Sequence, residues 1–295
     1  MATWILGISC FYHDSAAALL CDGKLVAAAS EERFTRIKHD PDFPTNAIHF
    51  CLGVAGITID EVDHLGFYDK PMLKLERILL SHLQSFPRSK EQFIAAIPAW
   101  MKEKLPVRKV VARELGWGRR PVLFGEHHVS HGASSFFASP FEEAAILTVD
   151  GVGEWATTTQ GYGQGNSMEL FHEIRFPHSL GLLYSAFTGY LGFKVNSGEY
   201  KVMGLAPYGE PRYIEQVRKL LDVAPDGSFR LDMSYFDFDF GMRMANERFF
   251  ELFGRPQRES EAPLEEFHKD VARSLQEVLN EVMVLQARAL HERTG

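Results

Sequence analysis

Trp4-Ile5-Leu6-Gly7-Ile8-Ser9, followed by the polar turn Tyr12-His13-Asp14-Ser15, decides how the chain is read, because a similar arrangement returns further on. There Ala144-Ala145-Ile146-Leu147-Thr148-Val149 runs into Asp150-Gly151-Val152-Gly153-Glu154. Each is an apolar run of strand length that stops abruptly at acidic and small residues. After the first, residues 16–20 lead through Cys21-Asp22-Gly23 into 24–29, and Asp-Gly between apolar runs marks a hairpin, since glycine accepts positive φ. A helix over 46–54, a strand over 62–68, further helical segments and a strand over 121–125 complete the first unit. After the second run, strands are expected over 155–162 and 168–176, joined by a turn at 161–166. Two three-strand meanders in one order predict an α/β chain of duplicated lobes, 1–142 and 143–295, a reading that rests on element order alone.

Helices are expected over 180–193 and 264–291. In the second, Leu264, Phe267, Val271, Leu275, Val278, Val282, Leu285 and Ala289 recur at steps of three and four, which makes one face apolar. The first lobe continues to two further strands after its meander, while the second reaches Gly295 with none. The expectation is therefore a second lobe truncated before its last strands, in a chain that is part of a longer protein or is completed by another chain. Alone, that lobe is expected to be unstable.

The 295 residues carry 31 Lys+Arg against 39 Asp+Glu, a formal charge of −8, with 45% hydrophobic and 24% charged residues. These are globular proportions, and the acidic balance argues against nucleic acid as the main partner. Cys10, Cys21 and Cys51 form no Cys-x-x-Cys pair and read as buried thiols of a reducing compartment. No apolar stretch approaches the ~18 residues of a membrane span, and the N-terminus has no basic region ahead of its apolar run. A cytoplasmic protein with no membrane partner is the expectation.

Several groups of residues can carry chemistry. In Glu126-His127-His128-Val129-Ser130-His131, residues four apart share a helix face, so His127 and His131 can reach one metal ion while His128 points elsewhere. The alternative is a histidine cluster that caps and solvates a helix start. Asp150 to Gly153 brings backbone close to a phosphate and a carboxylate close to its metal, or is simply a glycine-rich hairpin. His13, after a first strand, stands where α/β lobes place their chemistry and has the side chain best suited to general-base work, unless it is a surface residue of a turn. The charged stretch 31–39 is either a solvated strand end or an anion-binding segment. Residues 197–209 read as a loop packed on a ligand or on the other lobe, and the basic run 108–120 as a solvated helix face.

Together, HDSAAALL-DGK, EERFTR-KH, EHHVSHGASSFFASPF, LTVDGVGEW, HSLGLLYSAFT and GEYKVMGLAPYG resemble the O-carbamoyltransferases of the nodulation-protein and antibiotic-tailoring type, over residues 4–209. The resemblance implies an actin-like fold of the kinase and Hsp70 superfamily, built from ribonuclease H-like lobes. It implies a C-terminal domain that makes carbamoyladenylate from carbamoyl phosphate and ATP, and an N-terminal domain that passes the carbamoyl group to a small-molecule hydroxyl. It further implies His127, His131 and Asp150 as ligands of Fe(II) or another divalent metal, and His13 as catalytic base. By the same resemblance, Asp150, Gly151, Val152 and Gly153 contact the adenylate phosphate, and Lys38 lines the substrate channel. Beside it, Tyr12 and the run Tyr235-Phe236-Asp237-Phe238-Asp239 are expected to line the acceptor pocket, since carboxylates such as Asp237 suit a polyhydroxy or amino-sugar acceptor, the run being equally an edge strand or loop anchored by its aromatics. Family members are about twice as long, so a C-terminal domain of the same protein is the expected partner, with a homodimer left open. Two other readings stand beside it: an actin-like sugar kinase with an aspartate base and magnesium, and a nucleotide-binding scaffold without catalysis.

Overall fold

Five strands, β1 (Trp4–Ser9), β2 (Ala16–Cys21), β3 (Lys24–Ser30), β4 (His64–Phe67) and β5 (Val122–Phe124), form a sheet in the order β3-β2-β1-β4-β5. The first three are antiparallel neighbours, with Trp4 opposite Cys21 and Ser9 opposite Ala16, whereas β1, β4 and β5 run parallel. The Asp22-Gly23 hairpin closes with both residues left-handed, φ 49° and 78°. Helices α1 (Glu32–Thr35) and α2 (Thr45–Ala55) follow the meander, and Ala47, Ile48, Cys51 and Leu52 of α2 make a helical stripe buried in the same core as Leu6, Leu19 and Leu65. This is the strand order of a ribonuclease H-like lobe, and the protein is of the α/β class.

The computed structural model describes residues 2–99 and 105–295. They divide into one unit of Met1–Glu76 with Ile94–Ser130, and another of Arg77–Phe93 with His131–Gly295. Helices α3 (Pro71–Gln84), α4 (Lys90–Ala99), α5 (Val107–Leu115) and α6 (His127–Phe136) lie between the meanders in sequence. In the second unit β6 (Glu143–Val149), β7 (Ala156–Gln164) and β8 (Ser167–Arg175) form an antiparallel sheet in the order β6-β7-β8, the topology of β1-β2-β3 again. Helices α7 (Leu180–Tyr190), α8 (Glu199–Leu205) and α9 (Ile214–Arg218), the hairpin of β9 (Leu221–Val223) and β10 (Phe229–Leu231), and helices α10 (Glu247–Phe253) and α11 (Glu266–Thr294) complete it.

Several expectations are corrected. Helix α7 stops at Tyr190 rather than 193, and the chain turns away through Gly192 at φ 74°. On α11 the buried line runs Phe267, Val271, Leu275, Val278, Val282, then Gln286 and Leu290, not Leu285 and Ala289. Steps of four from Val278 follow the 3.6-residue turn, and Gln286 is tolerated because its amide donates to Gly227 O at 3.0 Å. Packed against α7, α8, α9, β6 and β7, α11 finds cover for its apolar face within this unit. Residues 197–209 are not a loop but α8 and a tight 3-10 turn over Ala206–Tyr208. The basic run forms α5, and Arg120 beyond it is structural: it stacks 3.5 Å from the Trp117 ring centroid and donates to the carbonyls of Trp117, Val62 and Ile59. Among the described residues no helix is long and apolar enough to cross a membrane.

Two histidines of the second unit accept backbone N–H groups: Leu231 N–H donates to His178 Nδ1 at 3.1 Å and Glu265 N–H to His268 Nδ1 at 2.9 Å. Burial, then Arg230, holds His178 below its ordinary pKa; burial and Arg258 do the same for His268, outweighing Glu265. Because the unfolded chain takes up protons that these folded imidazoles refuse, their contribution is intact above about pH 6.5 and declines as pH falls below it. Thermal melts should therefore show Tm falling between pH 7 and 5, and falling less in the double variant His178→Gln/His268→Gln, whose side chains accept the same bonds without titrating.

Candidate active site and metal-ligand cluster

Parallel strands β1, β4 and β5 end on one edge of their sheet, the edge where α/β folds place ligands. Tyr12 and His13 follow β1, Tyr68 and Asp69 follow β4, and Glu126 and His127 follow β5. Side chains from all three ends meet in series. The rings of His13 and Tyr12 are 4.5 Å apart between centroids; Lys74 Nζ stands 5.7 Å from the Tyr12 ring and 5.9 Å from that of Tyr68; Tyr68 meets His127 edge-on at 5.6 Å. Lys74 is held by Asp69 at 2.9 Å, with side chains only 12% and 7% exposed. Sequence reasoning missed Asp69 and Lys74 and read Tyr68 only as a strand end, although the polar residues after the strand expected over 62–68 were the available signal.

Between Tyr12 and β1, Cys10 is 2% exposed, and burial followed by the charge of Asp69 pushes its thiol pKa well up. It is a buried neutral thiol, as composition implied.

Helix α6 starts where the ends of β4 and β5 hold it. Gly125 N–H donates to Phe67 O at 2.9 Å, and Ser130 Oγ donates to Tyr68 O at 2.8 Å. Further along, Gly132 lies against the second sheet: a Cβ there would stand 2.8 Å from Met168 Sδ and 3.3 Å from Ile146. That approach accompanies a His131 Nε2 to Asp150 Oδ2 distance of 3.7 Å. One ligand atom from each of His127, His131 and Asp150 lies within 4.8 Å of the others, whereas His128 is buried at 3% exposure and takes no part. Donors at ~2.1 Å from one ion at tetrahedral angles stand about 3.4 Å apart, so the 3.7 Å between His131 and Asp150 is close to the separation that a shared metal requires. Two imidazoles and a carboxylate suit Fe(II) or Zn.

The turn after β6 is built by its neighbours. Asp150 Oδ1 accepts from Gly151 N–H at 2.6 Å, and Gly153 N–H donates to Ala156 O at 2.9 Å, so both glycine amides already have acceptors. Ser179, the N-cap of α7, accepts from Leu182 N–H at 3.0 Å and donates to the carbonyls of Asp150 and Gly151 at 3.1 and 2.7 Å. Gly181 admits this contact, since a Cβ would fall 2.6 Å from Asp150 O and Gly151 N. Ser179 and Gly181 were legible only as a helix start.

Residues 31–39 are not a solvated strand end: they form α1 and the segment that follows it. Glu31, 2% exposed, accepts from Ala47 N–H at 2.8 Å and from the Asn46 amide at 2.6 Å, capping α2. Thr35 Oγ1 donates to Asp40 Oδ2 at 2.6 Å, and His39 N–H to Glu32 Oε2 at 3.2 Å. Lys38 is exposed beside them. In the acidic-aromatic run, Phe236 is fully buried and Phe238 packs on it and on Phe176, while Asp237 Oδ1 accepts from Asn246 Nδ2 at 3.2 Å. Its aromatics anchor it, and the bond of Asp237 is local.

The chain matches the family described as Carbamoyltransferase N-terminus over residues 4–295. A similar uncharacterised protein of Synechocystis sp. is 54% identical over 99% of this chain and 49% of its own length. Nodulation protein NolNO of Sinorhizobium fredii is 36% identical over 97% of this chain and 39% of its own. The chain thus spans half or less of the length of these relatives. Among solved structures, a Pseudomonas aeruginosa protein with similarity to the peptidase YeaZ aligns at a TM-score of 0.33 and 16% identity, over 59% of this chain and 67% of that one. The fold assignment rests on the strand order instead.

Replacing Gly181 by Ala should force Cβ into the 150–151 backbone and lower stability by about 1–3 kcal/mol. Denaturant melts of the variant beside Ser179→Ala, expected to lose ~1 kcal/mol with its cap, check this.

Proposed function

We propose, from the premise that this chain belongs to the carbamoyltransferase N-terminus family, that it carries the transfer of a carbamoyl group from carbamoyladenylate to an acceptor hydroxyl. The intermediate would be made from carbamoyl phosphate and ATP by a further domain of the same protein. What carries the reading is the grouping of His127, His131 and Asp150 within 4.8 Å. His127, His131 and Asp150 would hold a divalent ion, Fe(II) on the resemblance, which would supply charge against the phosphate of the leaving group and polarise the mixed anhydride.

The chain's own residues have defined tasks. His13, 46% exposed at its side chain, takes the proton of the acceptor hydroxyl as its oxygen bonds to the carbamoyl carbon and the bond from that carbon to the phosphate oxygen breaks. Tyr12 and Lys38 face the acceptor, a small hydroxylated molecule. The Asp150 to Gly153 turn shapes the phosphate end, and with its two glycine amides committed it contributes form and the Asp150 carboxylate more than free donors.

In the complete protein, His13→Ala should keep carbamoyl-phosphate-dependent exchange between ATP and pyrophosphate while transfer to hydroxylated acceptors falls roughly 10²- to 10⁴-fold. Mass spectrometry of a panel of acceptors reads the product; undiminished transfer removes His13 from this role. Metal analysis gives a second check. Iron or zinc bound by the wild type and lost in His127→Ala supports the cluster, whereas dependence on magnesium alone favours a sugar kinase.

A further inference from the structure

Asp14 stands between two imidazoles. Its Oδ2 lies 2.7 Å from His13 Nδ1 and its Oδ1 lies 2.9 Å from His39 Nδ1. Neither His39 nor the role of Asp14 is part of the reading above. Asp14 and His39 are both left-handed, φ 52° and 59°, a conformation seldom adopted by residues with a Cβ. The backbone locks them there: Ser15 N–H donates to Asp40 O at 2.8 Å and Phe11 N–H to Pro41 O at 2.7 Å, binding the turn after β1 to the segment that carries His39.

The protonation pattern follows from the acceptors. A carboxylate offers only acceptors, so each imidazole presents Nδ1–H to it. His39 Nε2 is buried and has no hydrogen-bond partner. A proton on that nitrogen would be a buried donor without an acceptor, so the geometry favours the His39 tautomer that offers Nδ1–H to Asp14. Burial raises the Asp14 pKa, but the bonds from His39 and then His13 outweigh it and hold the carboxyl below its ordinary value. Asp14 therefore keeps its negative charge, and the hydrogen bond from His39 fixes its direction.

We infer that Asp14 and His39 are positioning residues that lock His13 as the Nδ1–H tautomer, directing the basic Nε2 outward and stabilising the imidazolium formed when it takes a proton. Asp14 thus does for His13 what the carboxylate of a Ser-His-Asp triad does for its histidine, and His39 does the same one step back for Asp14. This rests on the proposed base role of His13, but the tautomer can be read without it.

Imidazole nitrogen shifts of the 15N-labelled chain, without any substrate, provide the test. Both His13 and His39 should show protonated Nδ1 and bare Nε2 at neutral pH. A His13 mainly protonated at Nε2, or averaging between tautomers, overturns the inference. In Asp14→Asn the side-chain amide can offer its oxygen to only one imidazole. His39 should take it, its Nε2 being buried, and His13 should face the NH2 and switch to Nε2–H. In the complete protein the same variant should lose about 10²-fold or more in kcat with KM little changed and the ATP–pyrophosphate exchange intact. Full kcat in Asp14→Asn sinks the inference and leaves the proposed function standing. No transfer by the wild type, with the tautomers as stated, sinks the function and leaves the lock. Should the variant fail to fold, the wild-type shifts alone decide.

Discussion

A single buried carboxylate organises the strand-end edge of the first unit. Glu31 ends the meander almost out of solvent, which would be costly for an unpaired charge. It is paid for by N–H donors at the start of α2, where the helix dipole also favours an anion. Its own N–H donates to Ser15 O at 2.8 Å, and its carbonyl accepts from Phe34 and Thr35. One residue thus ties the end of β3, the turn after β1 and the first turn of α2 together. The segment between them, with His39 and Asp40, has its course set by these anchors.

The second unit reaches its geometry by close packing instead of a buried charge. Small residues let backbone approach backbone: Gly132 admits Met168 and Ile146 beside α6, and Gly181 admits the Asp150 turn beside α7. Ser179 then joins the two sides of the turn with three hydrogen bonds through one hydroxyl. Asp150 is aimed by this frame, so residues with no chemistry of their own set where its carboxylate lies.

Strands and lobe repetition were legible because alternating apolar runs and an Asp-Gly hairpin are local signals, and both meanders lie close to where the runs place them. The spacing of His127 and His131 was legible for the same reason, being a helical period, whereas the approach of Asp150 depends on packing between α6 and a distant strand. Local patterns failed where long-range contacts decided. The stretch 197–209, rich in glycine, looked like a loop but is helical against α11. The charged stretch 31–39 looked solvated, yet its first carboxylate is buried, because nothing local reveals that a helix start fifteen residues on supplies the donors. Lys74 sits in a helix whose pattern carries no sign of the Asp69 pair.

The neutral state of Cys10 bears on side reactions. An activated carbamoyl group, on the function proposed, reacts with any strong nucleophile in reach, and a thiolate outruns an alcohol. Cys10 lies two residues before Tyr12 in sequence, with its side chain buried. Burial and the neighbouring Asp69 charge keep its proton in place, so the residue is chemically silent. Selectivity for oxygen over sulfur would then be a property of the empty-handed core beneath the site as much as of the base above it.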